Sequence, residues 1–563
     1  MPSFRQKFVG FIRQLSNTSD SARDSDVPDN ASECFIQNYL KGSEKVNKNE
    51  PVILHGKKPY EIPPMNIGAY DTNEIKAADT GPDGGLVTVN KKDDENANQI
   101  IAGVDNWENS HERAYGKSCS LYEVHPVTSL RAGDPIADCY GVLVREDSAI
   151  LALADGVNWG VKASVAAKAA VHGCIDYMNE HLFASASPKP CTTTEVFTSL
   201  LRSFHTAHTL ILKEKGMLTT LTAAVVLPLD NVPGKYIVCT CNVGDSLAYV
   251  YSPKYGVREI TQGSHDVHQM RDMRDALGAL GPVDGQNPEL SNLTLSMTEV
   301  ERGDIVFLTS DGVSDNLDPV VGKFTGLPTV EAHQRHKLSL LRTEDLFRYG
   351  VSGKGPSISS ARELVTLLLD FVTRLTAAKR HILEDKDLYA GRDGRTLSSS
   401  EQITRRREVC KKLHAIPGKL DHATVAAYMV GKFGDTSRSE EHKGRDNRDI
   451  RGDVDTSRVD VDTVRDKIET LKVQDTSRGD EVRDNSSIGD VEQDAVETLK
   501  VRQVHDGDDV KRRDNDNISS DVKKERKKND NRRVKTKESK GDKEVHRSGV
   551  EDKVEKRTNE ENI

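Results

Sequence analysis

Six aspartates stand where an apolar stretch of the chain meets a turn. Asp138 opens "DCYGVLV", Asp155 closes "AILALAD", and Asp245 lies in "NVGDS". Asp311 and Asp315 follow "IVFLTS" in "DGVSD", and Asp421 precedes "HATVAAYMV". A single aspartate in such a place is ordinarily a turn former, because its side chain bonds the backbone two residues on. Six of them, several beside Gly or a small polar residue, exceed what turns require. Carboxylates gathered at one end of a sheet repel each other unless a cation neutralises them. Hard oxygen donors of this kind favour Mg²⁺ or Mn²⁺ over zinc. A hydrolase in which metals activate a water is one chemistry such a set could support. Asp155-Gly156 alone stays open between a tight turn and a carboxylate offered to a metal together with a backbone carbonyl.

The elements that must carry these residues follow from pattern. "DCYGVLV" and "AILALAD" flank "REDS" and form a predicted hairpin. The Ala-rich stretch from Val161 to Met178 predicts a helix whose small side chains allow close approach to a sheet. Further strands are expected at "TLTAAVVLPL", "YIVCTCNV", "LAYVYS", "YGVREIT", "GDIVFLTSDG" and "HATVAAYMV". "SSARELVTLLLDFVTRLTAAKRHIL" is amphipathic at helical period, with Ser359 or Ser360 as its cap. Strands in hairpins, with helices before and between them, predict a layered α+β domain rather than a parallel α/β one.

In order and wording these pieces resemble the metal-dependent serine/threonine phosphatases of the protein phosphatase 2C type. The matching stretches are "DCYGVLV", "LALADG", the Ala-rich helix, "LTTLTAAVVL", "CNVGDSLAYVY", "ITQGSHDV", "GDIVFLTSDGVSDNL" and "GKLDHATVAAYMV", spanning about 120 to 433. The resemblance implies a four-layer αββα sandwich, two antiparallel sheets flanked by helices. It also implies hydrolysis of phosphoserine or phosphothreonine on proteins by a water that two Mg²⁺ or Mn²⁺ ions activate, without a phosphoenzyme. Carried over, Asp155 resembles the bridging ligand and Gly156 lends its carbonyl. Asp311 and Asp421 resemble the other ligands of the first metal. Asp245 and Asp315 resemble the carboxylates that, with Asp311, hold a third ion in some members. Asp138 resembles the residue that hydrogen-bonds metal-bound water.

The chain also departs from that pattern. Ala137 stands where the family has Glu, which removes an acceptor for metal-bound water. Arg131 is the nearest candidate for the phosphate-binding arginine, about two positions too far upstream. Val157, Asn158, Trp159 and Gly160 replace a glycine-rich run, His422 replaces Asn or Asp, and Leu247 replaces an Arg. His422 invites a metal or general-acid role, but a histidine at the head of a strand is more often a surface or packed residue. Trp159 could cover the metal loop or anchor the start of the helix. The alternative to an enzyme is a catalytically weak or inactive pseudophosphatase that acts as a binding or scaffold protein.

Composition bounds the rest. Residues 434–563 contain no Phe, Trp, Tyr, Pro or Cys and are dense in charge, so they lack the apolar surface to offset chain entropy and read as a disordered tail. The tail repeats "DTSR" and carries a basic cluster between Lys523 and Lys537 of the nuclear-import type. Residues 1–118 are polar and expected to be mostly irregular, with a short helix near "ECFIQNYLKG" and an amphipathic one at 3–16 that could lie on a membrane surface. The phosphatase-like domain is expected over 119–433, with a helical insertion at about 320–415. The eight cysteines include no CxxC pair and read as reduced thiols. The net charge of −10, and a basic cluster without aromatic residues, argue against a nucleic-acid partner. With no apolar run long enough to span a bilayer, the expectation is a monomer in the cytoplasm, or in the nucleus if the basic cluster is read, acting on a phosphoprotein substrate or partner.

Overall fold

A computed structural model describes residues 39, 49–89, 100–184, 189–266, 276–324, 331–391 and 395–434. The expected helix at 3–16, nearly all of "ECFIQNYLKG", and the charged tail with its repeats and basic cluster lie outside the described residues. In chain order the first strands are β1 (Leu54–Gly56), β2 (Ala77–Gly81), β3 (Glu108–Asn109), β4 (Ala114–Ser120), β5 (Asp138–Val144) and β6 (Ala149–Asp155). Helices α1 (Val161–Phe183) and α2 (Thr193–Lys213) follow. Then come β7 (Leu221–Pro228), β8 (Lys235–Val243), β9 (Leu247–Ser252), β10 (Gly256–Glu259), β11 (Ala279–Asp284), β12 (Asn287–Glu289), β13 (Thr294–Glu301) and β14 (Ile305–Thr309). Helices α3 (Asp311–Leu317), α4 (Ala332–Tyr349), α5 (Ala361–Leu383) and α6 (Ser399–Leu413) precede the last strand, β15 (His422–Met429).

The strands build an eight-stranded sheet, β1-β13-β8-β7-β6-β5-β2-β3, and a five-stranded sheet, β10-β9-β14-β15-β4. Every strand pair within them is antiparallel. Side chains alternate across a strand with period two, and the cores sort by that parity. On β6, Ile150, Ala152 and Ala154 pack under α1 and α2, while Leu151 and Leu153 face the second sheet. On β15, Ala423, Val425 and Ala427 pack against α5, while Ala426 and Tyr428 face the first sheet. Helix, sheet, sheet and helix are therefore stacked in four layers, the αββα arrangement expected from the sequence.

Local chemistry fits these elements. Thr192 and Glu195 form a reciprocal cap at the start of α2. Of the two serines expected to open α5, Ser360 is the cap, its hydroxyl accepting from the Glu363 N–H at 3.1 Å. Cys239 and Cys241 lie buried in the same helix-facing core and are free thiols. Among the described residues no helix is long and apolar enough to cross a membrane.

The sheets reach further toward the N-terminus than the boundary expected at 119. β1, β2 and β4, which pair with β13, β5 and β15, all begin before that residue. β1 and β2 are short, and β4 alternates weakly because it carries Lys117 and two serines. Its place beside β15 is fixed by pairing with a strand roughly three hundred residues away, which no local pattern encodes.

Candidate functional site

Asp138 and Asp155 are cross-strand partners, the first pair of the β5–β6 ladder. Asp155 shares the parity of Leu151 and Leu153, and Asp138 that of Tyr140 and Val142, so both belong to the faces turned toward the second sheet. From that second sheet come Asp421, just before β15, and Asp311, just after β14. These two strands are adjacent and antiparallel, with Thr309 opposite Val425. The site therefore sits at one end of the layer between the sheets, where each of these two antiparallel strand pairs delivers two carboxylates.

A close backbone approach brings Asp311 and Asp421 together. A Cβ built on Gly312 would lie 1.8 Å from the His422 carbonyl oxygen. Only glycine lets α3 start this near the head of β15. The turn expected to carry Asp315 is instead part of α3. That places Asp311 and Asp315 four residues apart on one helical face.

Lys419 lies among these carboxylates. Its Nζ is 2.7 Å from Asp311 Oδ2, 2.9 Å from Asp315 Oδ2 and 3.1 Å from Asp421 Oδ2. Burial works against its charge, but Asp311, Asp315 and Asp421 outweigh it and hold the ammonium well above the usual lysine range. Sequence reasoning missed Lys419. The one local signal was a cation two residues before Asp421, on a segment otherwise notable only for its Gly.

Asp421 is held on both oxygens. Its Oδ1 accepts from the Tyr122 hydroxyl at 3.1 Å and from the His422 N–H at 2.9 Å. Trp159 donates its indole N–H to the same Tyr122 hydroxyl at 2.8 Å, and the two rings meet edge to face. Trp159 thus walls the site as well as standing beside the start of α1. Tyr122 is the second residue that sequence reasoning did not find.

The other half of the set is less compensated. Asp138 is fully buried; its Oδ2 accepts from the Thr424 hydroxyl at 2.7 Å, and its Oδ1 has no hydrogen-bond partner. Burial pushes Asp138 up to about 7, the Thr424 and Ser310 hydroxyls opposing it and the charges of Asp421 and Asp311 adding to it. Asp155 keeps a little surface toward solvent, yet protein crowds it closely. Burial and then the charges of Asp138, Asp311, Asp421 and Asp245 raise its carboxyl well above the ordinary range. Its backbone is pinned, the N–H donating to Thr220 Oγ1 at 3.0 Å and the carbonyl accepting from Thr219 Oγ1 at 2.9 Å. No hydrogen bond to its carboxylate comes from the described residues. Gly156 donates its N–H to the Ala137 carbonyl, and a Cβ there would meet the Ala163 carbonyl oxygen at 2.6 Å. Asp245 is buried in the β8–β9 turn, within the electrostatic reach of Asp155.

His422 is packed rather than exposed. It is 3% exposed, accepts the Ala137 N–H on Nδ1 at 3.2 Å, and has a buried Nε2 without a partner. Burial lowers it to about 4, so it is neutral at pH 7 and no general acid. Arg131 donates to the Tyr122 carbonyl at 2.9 Å, on the rim beside the aromatic wall.

The donor chemistry fits a hard divalent cation at the Asp155 end, where a buried carboxylate oxygen and a crowded carboxylate lack donors. It does not fit at the Lys419 end, where an ammonium already meets three carboxylates.

Fold and site together define an αββα sandwich with a carboxylate centre at one end of its inter-sheet layer. Residues 128–342 match the family model described as Protein phosphatase 2C. It is 43% identical over 456 residues to the PP2C-like domain-containing protein CG9801 of Drosophila melanogaster, across 62% of this chain and 64% of that one. The chain thus spans less than two thirds of the length of that relative, 64%. Among solved structures, it resembles the serine/threonine phosphatase PstP/Ppp of Mycobacterium tuberculosis at 15% identity, covering 57% of this chain and 99% of that one with a TM-score of 0.30. The catalytic domain of PstP in complex with two manganese ions is 16% identical, covering 57% and 98% with a TM-score of 0.27.

Proposed function

We propose that the domain hydrolyses phosphoserine and phosphothreonine on proteins with the aid of Mg²⁺ or Mn²⁺. The observation that carries this reading is the uncompensated end of the carboxylate set, where Asp138 Oδ1 is buried without a donor opposite Asp155. Such a bound cation supplies a water of lowered pKa and screens the charge of the phosphate. Asp155 and the Gly156 carbonyl would hold it, with Asp311 alongside. Asp138 is set to accept a hydrogen bond from the attacking water through its open Oδ1, while Thr424 fixes its other oxygen. Trp159 and Tyr122 form the wall beside Asp421.

A second reading, binding of phosphoproteins without turnover, is favoured by Arg131, whose guanidinium is engaged with the Tyr122 carbonyl, and by Ala137 beside Asp138. Loss of one such group costs about 10²–10³ in rate without abolishing the chemistry. The test is Mn²⁺-dependent turnover of an aryl phosphate and a phosphopeptide, wild type against Asp155→Asn. Turnover reduced about 100-fold or more in D155N supports hydrolysis. Wild-type turnover equal to that of D155N, with phosphopeptide binding retained, supports the second reading.

A further inference from the structure

The Lys419 ammonium contacts three carboxylates, and the fold is built to keep it there. Asn316, fully buried, donates from Nδ2 to the Lys419 carbonyl at 3.0 Å and accepts the Lys419 N–H on Oδ1 at 2.8 Å. The same Asn316 amide also donates to the Gly312 carbonyl at 2.7 Å, tying the lysine's backbone to the helix that carries Asp311 and Asp315. The preceding Gly418 takes φ +93, which a side chain would oppose. Its N–H donates to the Val321 carbonyl at 2.8 Å, and its own carbonyl accepts from the Lys379 ammonium. The segment before β15 is thus clamped by three residues, Asn316, Val321 and Lys379, with its one long cation turned onto the carboxylates.

A divalent ion seated between Asp311, Asp315 and Asp421 would compete for the oxygens that Lys419 uses. The ammonium binds the Oδ2 atoms of all three. Two cations sharing those oxygens would repel each other at close range in a poorly solvated place. An ammonium and a metal therefore exclude one another on this side of the centre.

We propose that Lys419 is a resident counter-ion that takes the place of a divalent cation at Asp311, Asp315 and Asp421, confining metal binding to the Asp155 and Gly156 end. The centre then holds fewer ions than its number of carboxylates suggests, and this side of the site keeps its shape without metal. The inference rests on the proposed function only for the ion at Asp155. Its readouts are ion count and metal-free stability, so a protein without turnover leaves it fully testable.

The experiment is Mn²⁺ uptake by the full chain, followed by equilibrium dialysis and electron paramagnetic resonance, in wild type, K419A and K419R. K419A is expected to take up one more ion per chain than wild type. In EDTA it should melt below wild type, and it should recover on addition of Mn²⁺. K419R, which keeps the charge, should match the wild-type count. Equal ion counts in wild type and K419A, with affinities within about threefold, would overturn the assignment. The unmodified chain gives an independent decision if K419A does not fold. A saturated wild-type spectrum of magnetically isolated Mn²⁺ supports the proposal, and one showing a spin-coupled pair overturns it.

Discussion

The indole N–H of Trp159 donates to the Tyr122 hydroxyl at 2.8 Å, and that hydroxyl donates in turn to Asp421 Oδ1 at 3.1 Å. The three residues come from the loop before α1, the segment after β4 and the head of β15, so the chain of donors ties both sheets to the carboxylate centre. Burial and the neighbouring Asp421 charge raise the Tyr122 phenol well above its usual range, which keeps it a donor at any working pH.

Tyr122→Phe removes the donor to a charged acceptor and should cost about 2 kcal/mol. Trp159→Phe removes only a neutral donor and should cost about 1 kcal/mol. Because the two bonds share one hydroxyl, the double variant should cost less than the sum. Urea denaturation of the four proteins checks this, and strict additivity would contradict the shared network.

Gly312→Ala tests the close approach of α3 to β15. Its Cβ would fall 1.8 Å from the His422 carbonyl oxygen, and both partners are backbone. Relief requires one element to move, so the loss should reach about 3 kcal/mol, at the upper end for overpacking. The same movement separates Asp311 from Asp421, and Mn²⁺ stabilisation should weaken with it. A thermal melt within a degree of wild type would rule out the contact as drawn.

Asp155→Asn should separate stability from function. In EDTA the variant loses one charge from a crowded acidic set and should gain about 1 to 2 kcal/mol over wild type. With Mn²⁺ present the advantage should shrink or reverse, since only the wild type gains from the ion. Paired melts with and without metal provide the check.

Asp79 offers a pH test away from the centre. It is 7% exposed on β2, and burial pushes its carboxyl up to about 6. The Gly116 N–H, donating at 2.8 Å, and the charge of Arg362 pull the other way. Unfolded, it ionises at its ordinary 3.8. Between those values the folded state keeps a proton that the unfolded state has released. This contribution to stability therefore falls as pH rises from about 4 to about 6, by about 3 kcal/mol, and stays lost above. In Asp79→Asn that part of the slope should vanish. Denaturation midpoints at pH 4, 5, 6 and 7 measure it, and parallel slopes for the two proteins would refute it.

The apolar run of β6, the amphipathic α5 and the small residues of α1 carried the layered fold in the sequence, because a strand buried on both faces is apolar throughout and a helix buried on one face is apolar at its own period. The same logic put aspartates at strand ends, where a carboxylate leaves the core without leaving the sheet. What the sequence withheld were relations between distant segments. β4 is polar and gains its place only through its register with β15. Asp315 looks like a turn residue until α3 forms and turns it toward Lys419. Trp159 and Tyr122 are 37 residues apart, and Tyr122 and Asp421 are 299 apart, so no spacing rule could join them. The carboxylates announced a demand for positive charge. Only the tertiary structure, by clamping the segment before β15 through Asn316, decided that a lysine of this chain meets part of that demand, because the position of an ammonium among three carboxylates is set by packing rather than by any local preference of the residues that make it.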